Sequence, residues 1–345
     1  MLKNILRSAI LRLGYEIKKV SVKSISSKLT KPTSKVNVTE YTEKNLNRTS
    51  GISLDSNLLL TPKFNDSSFS DMVNAKKIWG FTKCRTGEHE FYMALLGNDD
   101  GVALRFYNTG YYEKFTTALW TKFSSRSRTI LDIGAHTGSY SISARIANPS
   151  SKVISFEPHY LNFARLALNL RANGYDPYDI YMIAASDSNQ NVYFQVPRGD
   201  AYHSSGGSVS NVGSNITNDG YWVNAVSIDD FLQGHTKNTV DLIKIDVEGY
   251  ELNVLKGMSQ MISEMKPTIF FECITKSNHE LEEFFKNNRY KIYCIDDHSG
   301  DIEEVKSISP VYTQKDKLDM NKLNRIAIDT SQSAHYEIIQ SLLGE

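Results

Sequence analysis

Groups of polar and small residues follow short apolar runs at several places in the central part of this sequence. Carboxylates and glycines in such positions bind cofactors and accept protons, which is chemistry that a purely structural sheet does not need. The groups are residues 132–138 (DIGAHTG), residues 157–158 (EP), residues 186–187 (SD), the alternating Lys244, Asp246 and Glu248, and Glu272.

The first group predicts a backbone turn that binds a cofactor. Gly134 and Gly138 allow a sharp turn whose N–H groups face a ligand. They are four residues apart, unlike the G-x-G-x-x-G pattern of dinucleotide sites, and Asp132 would repel a pyrophosphate. Asp132 would instead pair with an ammonium group, so the turn favours an aminoacyl nucleoside over NAD. The predicted cofactor-binding turn comprises Asp132, Gly134, Ala135, His136, Thr137 and Gly138.

The second and third groups predict contacts to the rest of such a nucleoside. Glu157, followed by Pro158, stands 25 residues after Asp132. A carboxylate there can accept hydrogen bonds from both ribose hydroxyls. Ser186 and Asp187 follow a third apolar run, and Asp187 is a candidate to bind the adenine amino group. The alternative for Asp187 is an ordinary turn residue.

The fourth group predicts the catalytic chemistry. Lys244, Asp246 and Glu248 alternate, so their side chains point to one face while the strand continues. Asp246 is the leading candidate for a general base or an acceptor-orienting carboxylate, Glu248 is its rival, and Lys244 is an electrostatic partner. Glu272, at the end of the next apolar run, is a candidate to join them. Two alternatives stay open, a structural network and a divalent cation among the three carboxylates, although we predict no metal site.

The elements that must position these residues alternate between strand and helix from Arg128 onward. This order predicts an α/β fold with a mostly parallel seven-stranded sheet, helices on both faces and a ligand beyond the carboxyl ends of the strands. Residues 192–196 are predicted as a separate antiparallel strand. The sheet strands are predicted at residues 129–133, 152–156, 180–185, 240–245, 268–271, 290–295 and 324–329.

Taken together, these motifs resemble the FkbM-type methyltransferases. The segments that carry the resemblance are residues 129–142 (TILDIGAHTGSYSI), 155–158 (SFEP), 226–232 (VSIDDFL), 241–251 (DLIKIDVEGYE) and 255–257 (LKG). The resemblance spans about residues 126–275 and implies a Rossmann-like class I methyltransferase fold. It also implies S-adenosylmethionine as cofactor and, as the usual reaction, O-methylation of a hydroxyl group. One departure is His136, which stands where the family commonly has Asn.

Composition narrows the function classes. The chain has 345 residues, with 39 Lys plus Arg and 39 Asp plus Glu, so no overall field attracts nucleic acid. Its three cysteines, Cys84, Cys273 and Cys294, form neither a disulfide framework nor a metal cluster, which predicts a reducing, cytoplasmic location. No apolar run is long enough to span a membrane.

The chain before the motif-bearing region is predicted to have three parts. Residues 1–20 have the spacing of a basic amphipathic helix, which is expected to dock on the protein itself or on a second subunit, or to make weak membrane-surface contact. Residues 21–69 are linker-like. Residues 70–125 form an aromatic-rich accessory segment, in which some aromatic side chains could line the base of a substrate cleft. Residues 126–345 then form the methyltransferase domain.

The acceptor is predicted from a polar loop over residues 198–222. This loop combines Gly, Ser and Asn with aromatic residues, as a saccharide hydroxyl acceptor requires, and its His203 is a candidate base. The alternatives are a surface insertion for the loop and a surface position for His203. The predicted function is O-methylation of a saccharide or glycan hydroxyl. Its alternatives are a non-sugar natural product as acceptor, a catalytically inactive ligand-binding module, and an NAD-dependent oxidoreductase.

Overall fold

The computed structural model describes residues 54–64, 69–196, 207–210, 220–235, 239–274, 279–313 and 317–344. The predicted helix at residues 1–20, most of the linker-like segment and His203 lie outside these residues. None of the helices in the described ranges has the length and apolar character that crossing a membrane requires.

The strands alternate with helices along most of the described chain. The strands are β1 Leu59–Leu60, β2 Trp79–Thr86, β3 His89–Leu96, β4 Thr129–Ile133, β5 Lys152–Phe156, β6 Ile180–Tyr181, β7 Ala184–Ala185, β8 Gln190–Gln195, β9 Ser208–Ser210, β10 Gly220–Val226, β11 Leu242–Ile245, β12 Thr268–Glu272, β13 Lys291–Ile295, β14 Ile302–Val305 and β15 Asn324–Ile328. The helices are α1 Phe69–Asn74, α2 Gly101–Thr109, α3 Lys114–Ser124, α4 Ser139–Ala147, α5 Tyr160–Ala172, α6 Ile228–His235, α7 Glu251–Lys256, α8 Ser259–Met265, α9 His279–Asn287 and α10 Ser333–Leu343, with a 3-10 helix at Ser56–Leu58.

The main sheet is mixed. Within the described residues it has eight strands in the order β14-β13-β15-β12-β11-β4-β5-β6. The five strands from β12 to β6 run parallel, whereas β15, β13 and β14 join through antiparallel pairs. The predicted α/β class is confirmed, but the predicted seven strands are corrected to eight in this part of the chain. The pattern missed β14 because its sequence, IEEV, is short, polar and largely exposed.

A second correction concerns the run predicted as one strand over residues 180–185. It forms two strands of two residues each, β6 and β7, which belong to different sheets. Strand β6 pairs with β5 in the main sheet, whereas β7 pairs with β10 in a four-stranded sheet of order β7-β10-β8-β9. The chain therefore leaves the main sheet between Tyr181 and Ala184.

The core fills both faces of the main sheet. Alternate residues of one strand point to opposite faces, and in β4 Leu131 packs in one apolar cluster while Ile130 packs in another. The cluster around Ile130 includes Trp120 and Phe123 of α3, whose rings meet that of Phe270 edge-on at 5.5 and 5.3 Å. Strands buried on both faces account for the continuous apolar runs in the sequence.

Part of the aromatic-rich segment is a hairpin, in which β2 and β3 pair antiparallel. The hairpin packs on α5, where Asn169 and the C-cap residue Asn173 accept hydrogen bonds from the N–H groups of Ala94 and Tyr92, each at 2.8 Å. Through α3 and this hairpin, the segment contacts the sheet that carries the predicted site.

Candidate active site

A cavity of about 640 Å³ lies beyond the carboxyl ends of the parallel strands. This is the edge at which open α/β sheets bind ligands. Most of the residues predicted from the sequence line it. They are Asp132, Gly134, Ala135, His136, Glu157, Pro158, Lys244, Asp246, Glu248 and Glu272.

The turn after β4 is held against the neighbouring strand. The N–H groups of Gly134 and Ala135 donate to the carbonyl of Phe156, at 2.9 and 3.0 Å. His136 has a left-handed backbone with φ of 49°, and its N–H donates to Glu157 Oε2 at 2.8 Å. The turn after β4 and the end of β5 therefore form one hydrogen-bonded unit.

Asp132 is buried at the base of this turn and still lines the cavity. Its Oδ2 accepts a hydrogen bond from Ser141 Oγ, which also lies 2.8 Å from Ser155 Oγ. Burial raises the pKa of Asp132 to about 6, although Ser141 and the Lys244 ammonium oppose the change. A buried carboxylate of this kind gains most from a cationic ligand group.

Glu157 accepts a backbone N–H group on each carboxylate oxygen. Oε1 receives the N–H of His159 and Oε2 that of His136, both at 2.8 Å. Burial raises the pKa of Glu157 to about 7 despite these bonds. The Asn162 side chain also hydrogen-bonds this carboxylate. A carboxylate has about four lone-pair sites, so Glu157 can still accept a hydroxyl group from a ligand in the cavity.

A cluster of aromatic rings lies next to Glu157. His159 and Tyr160 stack at 5.3 Å, and the Tyr221 ring lies 5.7 Å from that of Tyr160. Phe194, which lines the cavity, is 5.9 Å from Tyr221. Burial lowers the pKa of His159 to about 4, so this ring is neutral near pH 7 and its Nδ1 accepts the N–H groups of Leu161 and Asn162 as the N-cap of α5.

Lys244 and Asp246 form an ion pair at the end of β11. Lys244 Nζ lies 3.3 Å from Asp246 Oδ2 and 3.3 Å from Asn324 Oδ1, and it sits 4.9 Å from the centre of the Tyr140 ring. The Lys244 side chain is 1% exposed and that of Asp246 is 24% exposed. Burial lowers the pKa of Lys244, but the carboxylates of Asp246, Glu272 and Glu113 outweigh it, so the pKa lies above its ordinary value. The predicted pairing of Lys244 with Asp246 is therefore present.

Glu248 and Glu272 add two further carboxylates to the cavity wall that contains Asp246. Strand β11 ends at Ile245, and Glu248 has a left-handed backbone with φ of 53°, so it reaches the cavity from a turn and not from the alternation of a strand. Burial, followed by the charge of Asp246, raises the pKa of Glu248 to about 8. The same two causes raise the pKa of Glu272 well above its ordinary value.

Some predicted residues do not reach the cavity wall. Thr137 and Gly138 continue the turn into α4, and a Cβ at Gly138 would lie 2.5 Å from Leu166 Cδ1. Ser186 Oγ lies 3.0 Å from the Tyr250 hydroxyl, and Asp187 accepts from Ser186, Ser188 and Gln190 within its own turn. The structure therefore brings neither Ser186 nor Asp187 to the cavity. His203 lies outside the described residues.

The sequence patterns missed one part of the wall, formed by Tyr111, Tyr112, Glu113 and Asp297. The Tyr140 hydroxyl donates to Glu113 Oε2. Only the aromatic density of residues 70–125 indicated a cleft there, and no pattern indicated a carboxylate. Among the residues that the structure describes, no group of three or more His, Cys, Asp or Glu has the arrangement of a metal site.

The sheet, with a cavity at the carboxyl ends of its parallel strands, has the organisation of a Rossmann-like fold. Residues 132–292 match the family model described as the methyltransferase FkbM domain. Over these residues the chain is therefore similar to the domain of an S-adenosylmethionine-dependent methyltransferase, as the resemblance in its sequence implied. No curated protein matches the chain.

Several solved structures are similar to parts of the chain. Methyltransferase FkbM from Methylobacillus flagellatus KT is 16% identical, with a TM-score of 0.38, and the match covers 66% of this chain and 53% of that one. This chain thus matches only about half of the length of that protein. An S-adenosylmethionine-dependent methyltransferase from Agrobacterium tumefaciens is 10% identical, with coverage of 74% and 72% and a TM-score of 0.38. An O-methyltransferase from Bacillus cereus in complex with SAH is 12% identical, with coverage of 61% and 80% and a TM-score of 0.33.

The residues of the cavity fit S-adenosylmethionine. The Asp132 carboxylate can pair with the ammonium group of this cofactor, and the Glu157 carboxylate can accept hydrogen bonds from its ribose hydroxyls. Both line the same cavity on either side of the turn after β4. The lining also includes the carboxylates of Glu113, Glu248 and Glu272 and the phenols of Tyr111 and Tyr112, which suit an acceptor with hydrogen-bonding groups.

Proposed function

We propose that this chain is an S-adenosylmethionine-dependent O-methyltransferase whose acceptor is a hydroxyl group of a saccharide or glycan. The match to the FkbM domain supports the methyltransferase class and S-adenosylmethionine as cofactor. The residues that line the cavity support the choice of acceptor. The observation that carries the proposal is the Asp246 carboxylate, which is partly exposed to the cavity and paired with a buried Lys244.

Methyl transfer to a hydroxyl requires a positioned acceptor and removal of its proton. The cofactor, when bound, supplies an electrophilic methyl group. Asp246 receives the acceptor proton, because its carboxylate lines the cavity and the Lys244 ammonium holds it at 3.3 Å. Glu248, with its pKa raised to about 8, serves less well as a base at neutral pH because it is largely protonated there.

Lys244 keeps Asp246 oriented for this role. The ammonium group is fixed from three directions by Asp246, the amide of Asn324 and the face of the Tyr140 ring. A charge held by several partners reorganises little during the reaction, which favours catalysis. Lys244 thus serves as an electrostatic and positioning group.

The density of hydrogen-bonding groups supports a saccharide as acceptor. A sugar carries several hydroxyl groups that need matched partners, together with an apolar face that packs on aromatic rings. The wall on this side offers Glu113, Glu248, Glu272 and Asn321 as polar partners, and Tyr111 as an exposed ring. A largely apolar acceptor would cover these polar groups and leave them without partners, at a cost in binding.

The test is a comparison of acceptors with isotope-labelled S-adenosylmethionine. Nucleotide sugars, oligosaccharides, phenols and macrolides are offered side by side to the purified full-length protein. We expect label in one or more saccharides and alkali-stable attachment, as an ether requires. Methylation of a phenol or macrolide alone would overturn the saccharide proposal and leave the methyltransferase class standing. Binding of the cofactor with no methylation of any acceptor would favour the inactive ligand-binding module.

A further inference from the structure

Glu113 brings a carboxylate into the cavity from outside the FkbM domain. The domain spans residues 132–292, whereas Glu113 lies between α2 and α3 in the accessory segment. Its neighbours Tyr111, Tyr112 and Lys114 also line the cavity. This part of the wall is therefore a feature of this chain's accessory segment.

The backbone at Glu113 has an unusual conformation. Glu113 is the N-cap residue of α3, with φ of 43° and ψ of 63°, and its side chain makes no capping hydrogen bond. N-cap residues ordinarily have an extended backbone and accept an N–H group of their own helix. The left-handed region disfavours side chains other than Gly, and non-Gly residues held there cluster at functional sites.

Asp297 supplies the cap that Glu113 does not provide. Asp297 Oδ1 accepts the N–H groups of Phe115 and Thr116, both at 2.8 Å, and Oδ2 accepts the Thr116 hydroxyl at 2.7 Å. Asp297 follows β13 and is distant in sequence from α3. Glu113 thus stands at the N-cap position of α3, whereas Asp297 makes the capping hydrogen bonds. The Glu113 carboxylate is therefore available for other interactions.

The released carboxylate is fixed beside the catalytic pair. Tyr140, whose ring lies 4.9 Å below Lys244 Nζ, donates its hydroxyl to Glu113 Oε2. Burial raises the pKa of Glu113, while the charge of Lys244 opposes the change. Glu113 and Asp246 are both wall residues of one cavity and both interact with Lys244.

We propose that Glu113 binds the acceptor directly, accepting a hydrogen bond from a saccharide hydroxyl adjacent to the one that Asp246 deprotonates. This inference rests on the proposed function. Two carboxylates that line one cavity and both interact with one ammonium group match two neighbouring hydroxyls of a sugar ring. A residue needed only to begin α3 would cap it directly, in the less strained extended conformation.

The test compares the wild type with Glu113→Gln, which keeps the size of the side chain and an oxygen for Tyr140. The probes are the methyl glycosides of glucose, galactose, mannose, fucose and rhamnose, offered with labelled S-adenosylmethionine, and their binding to the protein with S-adenosylhomocysteine is followed by saturation-transfer NMR. We expect the KM or Kd of the recognised glycoside to rise about 10- to 100-fold, as for a lost charge-assisted hydrogen bond. The Kd of S-adenosylhomocysteine should stay within about twofold, because Glu113 is outside the turn that binds the cofactor.

Two further variants separate acceptor binding from a structural role. Glu337→Gln removes a carboxylate paired with Arg126 near the other end of α3, and it should leave acceptor binding unchanged. Tyr140→Phe removes the hydroxyl that Glu113 accepts but keeps the charge, so it should raise KM less than Glu113→Gln does. If Glu113→Gln does not fold, Glu113→Asp, which withdraws the charge by one methylene group, should show the same increase in KM.

The outcomes distinguish the two proposals. If the wild type neither binds nor methylates any glycoside, the saccharide acceptor is wrong, and this inference falls with it. If the wild type recognises a glycoside and Glu113→Gln and Glu113→Asp both keep its KM, only the role of Glu113 is overturned. The role of Glu113 is also overturned if Tyr140→Phe raises KM as much as Glu113→Gln does. The Glu113 carboxylate would then act only by holding the Tyr140 hydroxyl.

Discussion

The backbone carbonyl of Asp246 occupies the space that a side chain on Gly134 would need. A Cβ at Gly134 would lie 1.8 Å from Asp246 O, and φ at Gly134 is 79°. The N–H of Asp246 also donates to the Ile133 carbonyl at 2.9 Å. This contact brings the proposed cofactor-binding turn and the proposed catalytic carboxylate together, and it leaves no room at position 134 for any residue larger than Gly.

Substitution of Gly134 by Ala should therefore destabilise the protein by at least about 2–4 kcal/mol, because a backbone clash adds to the strain of a positive φ. Gly174→Ala is the matched control, since Gly174 has φ of 81° but no atom within 4 Å of an added Cβ. It should cost only about 1 kcal/mol. The measurement is urea unfolding followed by circular dichroism. Equal losses in both variants would show that the contact with Asp246 is unimportant.

Replacement of Asp246 by Asn should lower kcat by roughly 10²–10⁴, the usual range for a lost acid or base group. Affinity for S-adenosylhomocysteine should change only a few-fold, because the amide keeps the size of the side chain. Asp241→Asn is a useful comparison, because Asp241 precedes the same strand and accepts the N–H groups of Arg128 and Thr129. It should lower the melting temperature and leave kcat unchanged. Normal turnover in Asp246→Asn would favour the structural network.

Glu157 should be required for cofactor binding. Glu157→Ala is expected to weaken the binding of S-adenosylhomocysteine by about 1.5–3 kcal/mol, as for lost hydrogen bonds to a charged group, and calorimetry measures this change. Glu90→Gln, on the exposed face of the β2–β3 hairpin, should bind as the wild type does. Neither the wild type nor these variants should bind NAD. Tight NAD binding with no response to S-adenosylhomocysteine would contradict the interpretation of the turn after β4.

Stability should depend on pH through the same carboxylate. The pKa of Glu157 is raised by burial from 4.5 to about 7, so the folded state holds this proton more tightly than the unfolded state. That contribution is fully present below pH 4.5 and is lost as the pH rises through about 7, and its size is up to about 3 kcal/mol. Without ligand, the difference in unfolding free energy between wild type and Glu157→Gln should fall from pH 5 to pH 8. An increase over this range would show that Glu157 is ionised when buried.

The positions of Asp132, Glu157, Lys244 and Asp246 followed from the sequence alone. Each stands directly after an apolar run, and a residue that ends a parallel strand must lie at the carboxyl edge of the sheet. The strands over residues 129–133 and 152–156 were also predicted to the residue, because uninterrupted apolar runs identify strands that are buried on both faces.

Ser186 and Asp187 show where such a local pattern fails. They too follow an apolar run, but that run divides between two sheets, and β7 pairs with β10 instead of continuing beside β5. Strand pairing depends on partners that are remote in sequence. The pattern therefore predicted a strand end correctly and could not indicate the sheet edge to which it belongs.

The sequence by itself determined the class of domain, the glycine-containing turn after β4 and the Lys244–Asp246 pair, because these depend on residues that are neighbours along the chain. Only the tertiary structure decided that Glu113 joins this pair. Its position depends on Asp297, which caps α3 across a separation of 182 residues from Phe115, and on Tyr140 of α4. Contacts between such distant segments are set by how the helices pack on the sheet, and no spacing of residues in the sequence records that packing.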